Sequence, residues 1–183
     1  MIKAIITDFD GTLVDTFDAN LRAYQEAFAA VGRTLTEEQY RERFGDRFDR
    51  FTAALNIFDD KELSIIKETK KTAYPKYFSF LRPNTALINL LLTFKAMGGK
   101  IAIASTARTE NLMNALTHLG LADKFDLILS GADVKQGKPN PEIYLTAMSR
   151  LGVSPSEVLI FEDSPVGIQA AQASGAQYIK VKI

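Results

Sequence analysis

The sequence predicts an α/β fold: a mainly parallel sheet with helices on both faces, carrying an all-helical insertion after the first strand. Three observations lead there. Short apolar runs stop abruptly at acidic or hydroxyl residues, at Asp8, Ser105 and Glu162, as buried strands do where they enter loops. From residue 82 onward such runs alternate with helical patterns, the order that builds parallel βα units. Between the first run and residue 82 nothing alternates cleanly with period two, so residues 17–81 read as helical throughout.

Taken in order, residues 2–7 form the first strand, which stops at the tight loop Asp8-Phe9-Asp10-Gly11. Leu21, Tyr24, Phe28 and Val31 recur at helical spacing, and Gly32 ends that helix. Thr36 with Gln39 and Asp59 with Glu62 are capping-box patterns that start two further helices. The chain therefore divides into a core, residues 1–16 and 82–183, and a helical cap domain, residues 17–81. Beyond Arg82-Pro83, residues 85–97 are a strongly apolar helix and residues 100–104 a buried strand. Leu112, Ala115, Leu116 and Leu119 mark the next helix, and residues 125–129 the next strand. Asn140-Pro141 opens a helix with a cap residue and a first-turn proline, and Tyr144, Ala147, Met148 and Leu151 form its buried face. Ser154-Pro155-Ser156-Glu157 is another capping pattern, followed by a strand at 158–161. A helix then runs from Ser164-Pro165 to near Gly175, and the last strand spans 177–181.

Composition excludes several function classes. Lysine plus arginine equals aspartate plus glutamate at 22 each, so no global field draws the chain to nucleic acid or an anionic membrane. Small molecules are the expected partners. With no cysteine there are no disulfides, thiolate zinc sites or cysteine nucleophile, which fits a reducing, cytoplasmic setting. The opening run is too short for a signal-peptide core and ends in two aspartates, so it reads as mature sequence. The most apolar stretch, 86–92, falls far below the roughly 18–20 residues that a membrane span requires.

Strand ends carry the chemistry. Asp8 and Asp10, then Ser105 and Thr106, then Glu162 and Asp163 follow three separate strands, and Lys138 lies in the loop after a fourth. In a parallel sheet all of these converge on one crevice. Four carboxylates, hydroxyls and an ammonium make the inventory for phosphoryl transfer: a metal to offset phosphate charge, a nucleophile, donors for the equatorial oxygens and a proton donor. Magnesium prefers oxygen ligands, and Asp8, Asp163 and a backbone carbonyl would hold it.

These motifs resemble those of the haloacid-dehalogenase-like hydrolase superfamily, in the branch with a helical cap inserted after the first motif. Asp8-Phe9-Asp10-Gly11-Thr12-Leu13-Val14-Asp15-Thr16 is similar to its first motif, Ser105-Thr106 to the second, Lys138-Pro139 to the third and Glu162-Asp163-Ser164 to the fourth. The resemblance spans almost the whole chain. It implies a Rossmann-like sheet, a magnesium cofactor, a small phosphorylated metabolite as substrate, and hydrolysis through an aspartyl phosphate. It further implies Asp8 as nucleophile and metal ligand, and Asp10 as acid/base that offers its carbonyl to the metal. Asp163 would be another ligand, with Glu162 binding metal directly or through water. Ser105, Thr106 and Lys138 would hold the phosphoryl oxygens. Pro83-Asn84 replaces a frequent Pro-Gly, and the chain stops soon after its last strand, where many relatives continue.

Several alternatives stay open at this level. A sugar phosphomutase uses the same nucleophile and metal, and a phosphate-accepting signalling or binding module has a similar sheet. A dehalogenase is disfavoured by Asp10 and the acidic fourth motif, and no feature marks Lys67, Lys70 or Lys71 as the desolvated amine of a phosphonate hydrolase. Taken singly, Ser105-Thr106 reads as a helix cap, Lys138-Pro139 as a solvated loop and Glu162-Asp163 as a helix-start charge pair. Asp15 needs no chemical explanation, and His118 reads as helix surface. Arg43, Arg47 and Arg50 fall at the spacing of one helical face that could meet an anionic substrate, although Gly45 interrupts the run and favours a solvated face.

Overall fold

The computed structural model describes residues 1–182. In chain order the elements are β1 (Ala4–Thr7), β2 (Val14–Asp15), α1 (Phe17–Ala29), α2 (Glu37–Arg41), α3 (Phe48–Ala54), α4 (Asp60–Ala73), a 3-10 segment (Tyr74–Phe80) and β3 (Arg82–Pro83). They continue as α5 (Thr85–Ala96), β4 (Lys100–Ala104), α6 (Thr109–His118), β5 (Leu127–Leu129), α7 (Glu142–Leu151), β6 (Val158–Glu162), α8 (Pro165–Ala173) and β7 (Gln177–Lys180). Two compact units result, Met1–Asp15 with Arg82–Ile183, and Thr16–Leu81.

In the first unit five strands pair in the order β5-β4-β1-β6-β7, every pair parallel. Central β1 is buried along its length, which explains why its sequence is a continuous apolar run rather than an alternating one. Ala4, Ile6, Ala102, Ala104, Val158 and Ile160 turn to one face, where they pack with Tyr144, Ala147 and Met148 of α7 and Ala170 and Ala171 of α8. The alternate residues, Ile5, Ile101 and Ile103, turn to the other face. Leu87 and Leu91 of α5 lie outside the first cluster, and α5 runs against β4. The small residues at 102, 104, 170 and 171 leave room for Tyr144, the largest fully buried side chain.

Some boundaries differ from the sequence expectation, for local reasons. The strand expected from 125 begins at Leu127, because the Asp126 carboxylate itself accepts the Ile101 amide at 2.8 Å, where a strand carbonyl would otherwise sit. Helix α7 begins at Glu142, with Asn140 Oδ1 accepting the Glu142 amide at 2.9 Å. Asn84 has φ −76° and stands at the start of α5. Its Oδ1 caps α5 by accepting from Leu87 N at 3.1 Å, and its Nδ2 donates to Thr12 O at 3.2 Å. At the sheet edge, β7 is exposed along its length.

The second unit is helical. Leu21 and Phe28 of α1, Tyr40, Phe51 and Ile66 share one core, in which Tyr24 and Phe51 meet edge to face at 4.9 Å. The box at Thr36 and Gln39 is complete. Asp59 caps α4, but Glu62 pairs with Arg33 at 2.8 Å instead of reaching back. Arg43 and Arg47 fall between α2 and α3, separated by Gly45 at φ 89°, so the three arginines do not share a helical face. Lys70 is buried with its ammonium 3.8 Å from the Tyr74 ring centroid, a desolvation that the sequence did not mark. His118 ends α6 on the surface, as expected. Among the described residues no helix is long and apolar enough to cross a membrane.

Candidate active site

Strand register decides which residues meet at the carboxyl edge of the sheet. Thr7 stands opposite both Ile103 of β4 and Phe161 of β6. Asp8 and Glu162 therefore emerge one residue beyond that line, and Ser105 two residues beyond it. The loop after Asp8 doubles back at Gly11, whose φ of 83° suits a residue without Cβ, and its amide donates to Val14 O at 2.8 Å. The short antiparallel ribbon of β2 and β3 follows, pairing Val14 with Pro83 and Asp15 with Arg82.

Lys138 reaches into this edge from the loop before α7. Its Nζ donates to Asp8 Oδ1 at 2.6 Å and to Glu162 Oε1 at 2.5 Å, with side-chain exposures of 3% for Lys138, 9% for Asp8 and none for Glu162. Glu162 is held at both oxygens. Oε1 also accepts from Tyr144 OH at 3.0 Å, and Oε2 accepts from Ser164 N at 3.0 Å and Ser164 Oγ at 3.1 Å. A carboxylate has about four lone-pair sites, and all four are engaged. Ser164 also caps α8, accepting from Gly167 N at 3.1 Å. Gly167 is required by close approach, since a Cβ at that position would overlap the Glu162 carboxylate.

Asp163 accepts from Thr12 Oγ1 at 2.8 Å, and Thr12 is fully buried. Carboxylate oxygens of Asp8, Glu162 and Asp163 lie within 4.8 Å of one another. Ser105, also fully buried, donates to Asp10 Oδ2 at 3.5 Å and accepts from Ala107 N at 3.0 Å. Asp8, Asp10, Ser105, Lys138, Glu162 and Asp163 are thus brought together. Thr106 follows Ser105 in the same loop, half-buried, with its carbonyl facing Gly131.

Burial and neighbouring charge set the protonation of the cluster. Burial pushes the Asp8 carboxyl up, Lys138 opposes the rise, and Glu162, Asp163 and Asp10 add to it, leaving Asp8 well above the ordinary carboxylate range. Burial pulls Lys138 down, but Asp8, Tyr144 and Glu162 overcome it and hold the ammonium well above its usual value. Burial also raises Glu162, and Lys138, the Ser164 amide and the Tyr144 hydroxyl outweigh it, so its net direction is down. Asp163 is raised to about 6, first by burial and then by Glu162, against the Thr12 hydrogen bond. The carboxylates exceed what one ammonium can neutralise.

The sequence reading did not find Thr12, Tyr144 or Gly167. Tyr144 had one available signal, since a tyrosine placed at a buried helix position needs a partner for its hydroxyl.

A haloacid dehalogenase-like hydrolase family model matches residues 5–181, and the chain belongs to that family. It is 33% identical to the "Phosphorylated carbohydrates phosphatase" of Thermotoga maritima, over 97% of this chain and 84% of that protein. Among solved structures it is similar to CbbY from Rhodobacter sphaeroides in complex with phosphate, with TM-score 0.88 and 30% identity over 100% of this chain and 87% of that one. It is also similar to β-phosphoglucomutase from Clostridium difficile, with TM-score 0.86 and 28% identity over 100% of this chain and 86% of that one.

The raised Asp163 has a consequence for the metal-free protein. Its folded carboxyl holds a proton up to about pH 6, above the ordinary 3.8, so stability falls as pH rises between those values and stays low above them. Asp163→Asn keeps an oxygen for Thr12 and loses the charge. It is expected to raise the metal-free melting temperature at about pH 7.5, through a stability gain of at most about 3 kcal/mol that shrinks toward about pH 4. A melting temperature at pH 7.5 below that of the unmodified chain contradicts this account of the site.

Proposed function

We propose that this chain is a magnesium-dependent phosphatase of a small phosphorylated sugar, which it hydrolyses through a phosphoryl group carried on Asp8. The observation that carries the reading is Asp8 at the end of the central strand, 2.6 Å from a buried lysine and crowded by further carboxylates. The names of the relatives, a carbohydrate-phosphate phosphatase and a structure holding phosphate, point the same way.

The donor set suits magnesium. All its side-chain ligand atoms are carboxylate oxygens, which favour a hard cation, and the surplus negative charge that raises Asp8 and Asp163 is the charge a divalent ion offsets. Asp8, Asp163 and the Asp10 carbonyl would hold it. With those four donors in place, Glu162 contributes through the charge it holds beside Lys138 rather than through a direct bond. When bound, magnesium neutralises phosphate charge and lets Asp8 stay ionised beside the substrate.

In the first half-reaction a carboxylate oxygen of Asp8 attacks phosphorus while the bond to the leaving oxygen breaks. Asp10 gives that oxygen its proton. Ser105, Thr106 and Lys138 bind the phosphoryl oxygens, and Lys138 offsets repulsion between Asp8 and the incoming anion. Asp10, now a base, takes a proton from the water that attacks the phosphoryl group, and phosphate leaves with Asp8 restored. Both chain connections of the helical unit run from the β2–β3 ribbon.

Similarity to β-phosphoglucomutase supports a second reading, in which the phosphoryl group returns to a sugar instead of passing to water. Assay of hexose and pentose phosphates separates the two by free phosphate against isomer. The phosphatase reading expects many phosphates released per site with magnesium, none with chelator, and none from folded Asp8→Asn. Turnover by metal-free enzyme or by Asp8→Asn contradicts it, and isomer as the main product favours the mutase.

The role given to Asp10 has its own test. A general acid contributes about 10²- to 10⁴-fold, mostly for poor leaving groups. Asp10→Asn is expected to slow phosphorylation of Asp8 by alkyl phosphates at least tenfold more than by aryl phosphates, read in single-turnover quench experiments at roughly neutral pH. Equal slowing of both classes removes Asp10 from the acid role.

A further inference from the structure

Lys138 has to arrive at its two carboxylates from an irregular stretch. It lies between a 3-10 turn at Gly131–Asp133 and the start of α7, on a long flexible side chain that loses much rotamer freedom when fixed. Loops of this kind are mobile unless something ties their backbone. Yet the ammonium makes two short ion pairs at 3% side-chain exposure.

Glu142, the first residue of α7, ties that backbone. Its Oε1 accepts the Lys135 amide at 2.9 Å and its Oε2 the Gln136 amide at 2.8 Å. Asn140 completes the clasp: its Oδ1 accepts the Glu142 amide at 2.9 Å, its Nδ2 donates to Gln136 Oε1 at 2.8 Å, and its own amide donates to Gly137 O at 3.0 Å. The chain is therefore pinned on both sides of Lys138. An acidic residue at a helix start gains from the helix dipole without needing partners upstream. Here both oxygens are committed to amides six and seven residues earlier.

Helix α7 holds the ion pair from two directions. Two residues beyond Glu142, Tyr144 OH donates to the same Glu162 oxygen that receives Lys138. The helix is fixed in turn by Ile143, Ala147, Met148 and Leu151 in the sheet-facing core. Its first turn thus serves as a common reference for the loop that brings the cation and for the anion that receives it.

We infer that Glu142 is a positioning residue for Lys138, setting the loop from which the ammonium reaches Asp8 and Glu162. Its kinetic consequence rests on the phosphatase reading, but its structural consequence does not. The test compares Glu142→Ala and Glu142→Gln with the unmodified chain, in magnesium, by the rate at which an amine-reactive acetyl ester labels each lysine. Peptide mass spectrometry gives the rate at Lys138, with Lys70, the other buried lysine, as internal control. Glu142→Ala is expected to label Lys138 about tenfold faster or more while Lys70 and the melting temperature hold. Glu142→Gln, which keeps one acceptor and turns an NH₂ toward the second amide, is expected to fall between. In steady state Glu142→Ala is expected to lower kcat/KM about 10- to 100-fold, the scale of a small misplacement of a catalytic group, and to add no loss in a Lys138→Ala background. Unchanged labelling of Lys138, or a parallel rise at Lys70, overturns the inference. If Lys138→Ala retains normal phosphate release, the phosphatase reading loses Lys138 while the labelling result still decides the role of Glu142.

Discussion

A buried ammonium keeps its charge only where anions replace the water it has lost. Lys138 meets that condition between Asp8 and Glu162, and much of the core unit is arranged to satisfy it. Glu162 needs its remaining sites filled, which Tyr144 and Ser164 do. Its position over the first turn of α8 requires Gly167 to lack a side chain. Asp8 and Glu162 need equal advance beyond the paired Thr7 and Phe161, which the register of β1 with β6 supplies. Removing one partner of such a buried pair typically costs about 3–5 kcal/mol, so these residues are bound to one another by stability as well as by chemistry.

The same cluster leaves a surplus of negative charge. Lys138 holds Glu162 down, while burial first and then neighbouring carboxylates, Glu162 in both cases, raise Asp8 and Asp163. The proposed magnesium ion would offset that charge and favour ionised Asp8. The observation behind the proposed cation is geometric: oxygens of Asp8, Glu162 and Asp163 lie within 4.8 Å of one another around a single ammonium.

Much of this was legible in the sequence, with physical reasons for what was not. The strands were visible because β1, β4 and β6 are buried and read as apolar runs, and the helical insertion because its pattern never falls to period two. The motif residues were visible because they sit where those runs stop. Asp126 hid the start of β5 by substituting its side chain for a backbone acceptor. The hydrogen bonds that Tyr144, Ser164 and Lys138 make to Glu162 were not legible, because these partners come from other elements or depend on the local turn. Thr12 and Asp163 are 151 positions apart, and only the folded loop brings the hydroxyl to the carboxylate. Gly167 carries no local signal, since its role is to leave space for a side chain from another element. The arginines at 43, 47 and 50 fall at helical spacing, and the interruption that Gly45 marks in the sequence is where the helix breaks.

The proposed covalent chemistry rests on a single atom group, the carboxylate of Asp8. The most direct test is to mix enzyme, magnesium and a sugar phosphate, stop the reaction with acid within the first turnover, and map the phosphoryl group by peptide mass spectrometry. The account predicts a phosphoryl group on Asp8 that forms before free phosphate accumulates and decays as it is released. Phosphate released at full rate with no phosphoryl group on Asp8 at any time, or with the group on another residue, would contradict it.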